Sequence, residues 1–178
     1  MALTFTLLDG RYHDRRSFSC GVAALDDYLR NWAGQHQRDG IATTHILIDD
    51  TQPAHILGYC SLSAAQLYLH ELLEEHRKRM PAYPVPAMRM GRLAVSANEQ
   101  GKGYGRLLLG HAVNLALSVR QSMGIRVLIV DAKDARAAKF YEGYGFQPTI
   151  DARPTLYLPL GRHKPTSAPP YPAQTQRP

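Results

Sequence analysis

A strand that runs through a glycine-rich turn directly into a helix limits the fold of this 178-residue chain more than any other feature. Arg92-Leu93-Ala94-Val95 reads as the end of a β-strand. After a short polar loop come Gln100-Gly101-Lys102-Gly103-Tyr104-Gly105-Arg106. Leu107, Leu108, Ala112, Leu115, Ala116 and Val119 then recur at helical spacing and predict one apolar stripe. A glycine turn at a helix N-terminus presents unpaired N–H groups and the positive end of the helix dipole, which together favour phosphate. Glycine also lets the backbone close on a ligand with φ > 0. Lys102 and Arg106 add positive charge beside that nest. The chemistry indicated is the anchoring of a pyrophosphate.

Three phosphate-loop types compete for the segment, besides an ordinary strand-to-helix turn. A P-loop needs Lys and then Ser or Thr after its last glycine, whereas Gly105 is followed by Arg106-Leu107. A dinucleotide fingerprint would place Arg106 or Leu108 where its third small residue belongs. Gln100, Gly103 and Gly105 fill a third pattern, Q/R-x-x-G-x-G/A, and so resemble the acetyl-CoA loop of the GCN5-related N-acetyltransferases.

A second stretch carries the same resemblance. Asp134, Ala138 and Phe140-Tyr141-Glu142-Gly143-Tyr144-Gly145-Phe146 resemble the signature N-x-x-A-x-x-F-Y-x-x-x-G-F of that superfamily, with Asp134 in place of Asn and Ala137 also fitting the small residue. Further segments are similar to one branch, the toxins of bacterial toxin–antitoxin pairs that acetylate aminoacyl-tRNA. They are Phe18-Ser19-Cys20-Gly21, Leu25-Asp26-x-Tyr28-Leu29, Ala42-Thr43-Thr44, Gly58-Tyr59-Cys60-Ser61-Leu62-Ser63, Tyr83-Pro84-Val85-Pro86 and Gly91-Arg92-Leu93-Ala94-Val95.

The resemblance implies an α/β fold, a mixed and mostly antiparallel sheet of six to seven strands flanked by four helices and splayed at the acetyl-CoA site. It implies that Leu93, Ala94 and Val95 pair with the pantetheine arm, that Gly101, Lys102, Gly103, Tyr104, Gly105 and Arg106 hold the pyrophosphate, and that Gln100, Asp134 and Ala138 belong to the cofactor site. Tyr141 takes the position of the acid that protonates the departing thiol, a role that typically contributes 10²–10⁴-fold; its alternative is an aromatic packed between helix and sheet. Tyr144 is the weaker candidate. The partners implied are charged tRNA, a ribbon–helix–helix antitoxin and a second copy of the chain. An acetyltransferase for a small amine or a protein N-terminus is the alternative activity, and a non-catalytic CoA- or DNA-binding regulator is a third reading.

No side chain stands out as a general base. An unperturbed α-amine titrates near 7.7–8.0, so part of it is neutral at pH 7, whereas a lysine amine near 10.4 needs help. That leans toward an α-amine acceptor. His70 and His76 flank three glutamates without metal spacing and read as solvent-exposed; no metal is expected.

Charge is unevenly placed. The formal net charge is +6, but Arg162, Lys164 and Arg177 stand in a tail without acids, and the body carries 18 bases against 15 acids. Between His76 and Arg92 lie Arg77, Lys78, Arg79, Arg89 and Arg92 and no acid. This run reads either as a patch facing tRNA phosphates or as a solvated helix end.

The remaining chain predicts an edge strand at Leu3–Leu8 and a helix with Val22, Leu25, Tyr28, Leu29 and Trp32 inward. A hairpin of Thr43–Ile48 with His55–Ser63, a helix over Gln66–Met80 and a strand at Val85–Val95 follow. Val127–Val130 suits a strand covered on both faces, Asp134–Tyr141 a short helix, and Phe146–Ile150 and Thr155–Leu160 the last strands. Residues 1–162 form one domain, and 163–178, rich in proline, read as a disordered tail. Cys20 and Cys60 read as buried free thiols of a cytoplasmic protein. No apolar run approaches the ~18–20 residues of a membrane helix.

Overall fold

The computed structural model describes residues 1–78, 80, 84–151 and 154–161. Arg79, Tyr83 and the proline-rich tail of the sequence reading lie outside the described residues.

Seven strands form one sheet: β1 (Leu3–Leu7), β2 (Thr43–Asp49), β3 (Gly58–Leu67), β4 (Val85–Val95), β5 (Val127–Asp131), β6 (Gln147–Pro148) and β7 (Thr155–Pro159), in the order β1-β2-β3-β4-β5-β7-β6. Among the described residues, only β4 and β5 pair as parallel strands. The connection between them is the helix α4 (Tyr104–Val119), the crossover that a parallel pair requires. Four helical segments flank the sheet when α1 (Ala23–Asp27) and α2 (Ala33–Arg38) are counted as one. The others are α4, α5 (Ala135–Glu142) and the single turn α3 (Glu74–Arg77).

Alternation along each strand sorts the core onto two faces. Leu47, Cys60, Leu62, Met88, Met90, Leu128 and Val130 pack with Leu108, Leu109, Ala112 and Ala116 of α4 and with Tyr141 of α5. On the opposite face are two separate clusters. Ile46, Ile48, Tyr59 and Ala94 pack with Tyr28, Leu29 and Ala33, while Val85, Ala87, Val127, Ile129 and Tyr157 pack with Leu67 and Leu72.

The parity of β4 changes along its length. Val85 and Ala87 share a face with Ala94, which unbroken alternation forbids. The register shows why: Leu62 pairs with Met90 but Ser61 pairs with Arg92, so Gly91 is an extra residue in β4. This bulge puts Arg89 and Arg92 on the same face, opposite Ser63 and Ser61, although three residues separate them.

Several local expectations need correction. Trp32 is 48% exposed and Ala33 takes the inward position. The segment Tyr28–Trp32 is a π-helical turn, and its extra residue shifts the phase of the stripe by one place. In α4, Leu107 faces out and Leu109 faces in. Gln66–Met80 is not one helix. The β3–β4 ladder continues to Leu67 opposite Val85, and Glu71 then folds back to accept the Tyr68 N–H at 2.6 Å. His76 is not solvent-exposed as expected, because its Nδ1 lies 2.6 Å from the Tyr157 hydroxyl. The strand expected over Phe146–Ile150 shrinks to two residues, since Phe146 is buried beneath the sheet and Pro148 has no N–H to extend a ladder. Cys20 and Cys60 are both buried and free.

Gly58 sits where α4 and β4 crowd β3. A Cβ there would lie 2.9 Å from the Ala94 carbonyl oxygen and 2.9 Å from Leu108 Cδ1. Gly58→Ala is therefore expected to destabilise the fold by about 1–3 kcal/mol through overpacking. Urea unfolding checks it; an unchanged midpoint would show that α4 yields freely.

Candidate active site

The site follows from where β4 and β5 part. They pair from Ala87 opposite Val127 to Met90 opposite Val130 and no further. Beyond that point β4 runs on to Val95 along β3, while Asp131 pairs with Thr155 of β7. The edge of β4 from Gly91 to Val95 is left without a β5 partner and opens into a cavity of about 620 Å³.

The glycine loop closes one end of the cavity. Gly101 and Gly103 have φ of +83° and +84°, and no atom lies within 4 Å of the position a Cβ would take. Gly103 is the N-cap of α4 and supplies no side-chain cap. The first-turn N–H groups of Tyr104, Gly105 and Arg106 have no intrahelical acceptors, which leaves them for an anion. Gln100 donates through Nε2 to the carbonyls of Cys20 at 2.9 Å and Val95 at 3.1 Å. Its role in the geometry is to tie the loop to the end of β4. Lys102 does not line the cavity, and its Nζ pairs with Glu99 Oε2 at 2.8 Å. The Glu99 carboxylate raises the lysine pKa, chiefly by that hydrogen bond.

The other wall is α5. Asp134 caps it, accepting the Ala137 N–H at 2.8 Å, which explains how Asp serves where the signature has Asn. Ala137 lines the cavity and Ala138 packs toward the core. Tyr141 is 4% exposed and lies against Phe140 and Phe146, with ring centroids 5.3 and 5.7 Å away. Its hydroxyl makes no hydrogen bond among the described residues, and the residue lines the cavity. Burial pushes the phenol pKa well above its usual value, with smaller contributions from Cys60 and Asp131. The proton therefore stays on Tyr141 at neutral pH, as a donor requires. Tyr144 also lines the cavity but is 44% exposed.

Of the residues expected at the cofactor site, the cavity brings together Leu93, Ala94, Val95, Gln100, Gly101, Gly103, Tyr104, Gly105, Arg106 and Asp134. It adds Asp131, Lys133 and Arg136, which no motif marked. The acid Asp131 closes the apolar β5 run, and that was the available signal.

The basic run does not form one patch. Arg77 is turned onto the carbonyls of Leu72 and His70 at 2.9 and 3.2 Å, while Lys78 is exposed. Arg89 pairs with Asp131, and the Arg92 guanidinium lies 3.6 Å from the centroid of the Tyr28 ring. Arg92 also lines the cavity.

Comparison with known proteins gives a consistent result. A family model described as an acetyltransferase (GNAT) domain matches residues 41–148. The tRNA-acetylating toxin of Mycobacterium tuberculosis is 32% identical over 147 residues, covering 83% of this chain and 85% of that protein. A structure of AtaT complexed with acetyl-methionyl-tRNAfMet superposes with a TM-score of 0.82 at 30% identity, covering 89% of this chain and 95% of that one. A tyrosine-to-phenylalanine variant of AtaT, bound to the C-terminus of the antitoxin AtaR and to acetyl-CoA, gives a TM-score of 0.76 at 29% identity over 89% and 93%.

Gly103→Val should abolish acetyl-CoA binding. The β-branched side chain resists φ near +84° and enters the open space above the loop. Calorimetry on the folded variant checks this, and unchanged affinity would remove the loop from the cofactor site.

Proposed function

This chain belongs to the acetyltransferase (GNAT) family, and from that premise we propose that it is a toxin which transfers acetyl from acetyl-CoA to the α-amine of aminoacyl-tRNA and so blocks translation. The observation that carries the reading is the splay of β4 from β5, which puts an open strand edge, a glycine-capped helix N-terminus and Tyr141 around one cavity. The relatives named above supply the substrate class.

The residues fit acetyl-CoA. The backbone of Leu93–Val95 offers unpaired groups to the amides of the pantetheine arm, as a missing strand would. The loop N–H groups and Arg106 receive the pyrophosphate, and Lys133 and Arg136 add positive charge at the mouth. Acetyl-CoA brings an acyl group already activated as a thioester. What the chain supplies is position and a proton: Tyr141 holds its proton where the sulfur departs and spares it from leaving as a bare thiolate.

For tRNA we assign the cations unequally. Lys78 is exposed and free to meet phosphates from solvent, Arg79 joins it as an expectation of the sequence alone, and Arg77, Arg89 and Arg92 meet them only in addition to their internal contacts. An antitoxin partner is supported by the complexes of AtaT with AtaR. The sequence resemblance adds a ribbon–helix–helix fold for that antitoxin, a homodimer for the toxin and a cytoplasmic site of action.

Incubation with labelled acetyl-CoA and total charged tRNA tests the substrate. Label is expected on the aminoacyl group, and label found only on small amines or protein N-termini would replace this reading with that one. Tyr141→Phe should lose at least 10²-fold in turnover while keeping acetyl-CoA affinity, because ring and packing remain and only the donor goes. Turnover within threefold of wild type would take Tyr141 out of the chemistry.

A further inference from the structure

The acetyl-transfer reading leaves the acceptor amine without a partner, and the vertex of the splay holds a group suited to it. Asp131 is the first β5 residue beyond the β4 pairing, and its neighbour across the gap is the bulged Gly91. A Cβ on Gly91 would lie 3.9 Å from Asp131 Oδ2, so the carboxylate reaches over the one β4 position with no side chain. It lines the cavity that also contains Tyr141.

Its hydrogen bonds are unevenly shared. Arg89 Nη1 donates to Oδ1 at 2.6 Å and to Oδ2 at 2.7 Å, and the Thr155 hydroxyl donates to Oδ1 at 3.4 Å. A carboxylate offers about four acceptor sites, and Oδ2 accepts nothing further among the described residues. Arg89 and Asp131 are 31% and 34% exposed, so the pair is not sealed in the core. The arrangement fixes both oxygens of a cavity-lining carboxylate through one nitrogen and leaves Oδ2 with acceptor capacity to spare.

We propose that Asp131 is the acceptor-side residue of the reaction: the spare acceptor site on Oδ2 takes a hydrogen bond from the substrate α-amine and orients the nitrogen lone pair toward the thioester, with Arg89 as the positioning residue that holds the carboxylate. The nitrogen forms the new bond to the acetyl carbon as the carbon–sulfur bond breaks. The surplus proton on nitrogen leaves along the hydrogen bond to Asp131 and from there to water. The sulfur takes a proton from Tyr141, which regains one from water, so charge and protons balance.

Asp131 and Arg89 also staple β5 to β4, and a purely structural role must be told apart from this one. Asp131→Asn should lower kcat/KM for the acceptor by roughly 10- to 100-fold, the worth of one hydrogen bond to a charged group, without changing acetyl-CoA affinity. The double variant Asp131→Asn/Arg89→Gln replaces the ion pair by a neutral hydrogen-bonded pair. It should melt as wild type does and stay as impaired toward the acceptor as the single variant. Recovery of activity in the double variant would show that the pair is only a staple, and acceptor kinetics within threefold of wild type in Asp131→Asn would overturn the proposal equally. Should the single variant fail to fold, the double variant carries the test alone. The kinetics are read on whichever amine the wild-type protein acetylates, so a wrong substrate class and a wrong role for Asp131 give different results.

Discussion

The departure of β4 from β5 after Met90 and Val130 is the constraint on which the rest of the site depends. A sheet normally satisfies each strand edge with a neighbour, and unpaired N–H and C=O groups invite another chain. Here the open edge from Gly91 to Val95 is kept inside a concave cavity, where a ligand with amide groups can complete the ladder. The glycine loop and α5 then take their places at the two sides of that opening, because each follows directly from one of the parted strands.

Gly91 makes the parting compatible with a folded core. Its bulge lets β4 bury Met88 and Met90 against α4 before the splay, and Ala94 against the opposite cluster after it. It also collects Arg89 and Arg92 on one face, between the two apolar clusters there. That polar strip, with Ser61, Ser63 and Asp131, divides the clusters and faces away from α4. Polar groups are thereby gathered on one side of the sheet while the α4 side carries a continuous apolar core.

The same geometry explains why net charge is a poor guide here. Three of the five cations in the basic run are engaged internally: Arg77 on two carbonyls, Arg89 on Asp131 and Arg92 on the Tyr28 ring. A guanidinium that clamps a carboxylate or stacks on an aromatic sets local geometry as much as long-range field.

Local chemistry was legible in the residues. Only glycine suits the positive φ of Gly101 and Gly103, so the loop announced itself, and the aliphatic run Val127–Val130 required cover on both faces. Asp134 before Ala135–Glu142 marked a helix start, and the signature around Tyr141 marked what lay on that helix. What depends on phase or on partners across the sheet was not legible. A π-turn after Asp27 and a bulge at Gly91 each add one residue to a period, and no local propensity reports that; they exchanged Trp32 for Ala33 and gathered Arg89 beside Arg92. Asp131 follows the Val127–Val130 run, and no motif singled it out. Its place above Gly91, clamped by Arg89 from 42 residues away in sequence, exists only because β4 and β5 run parallel and then separate.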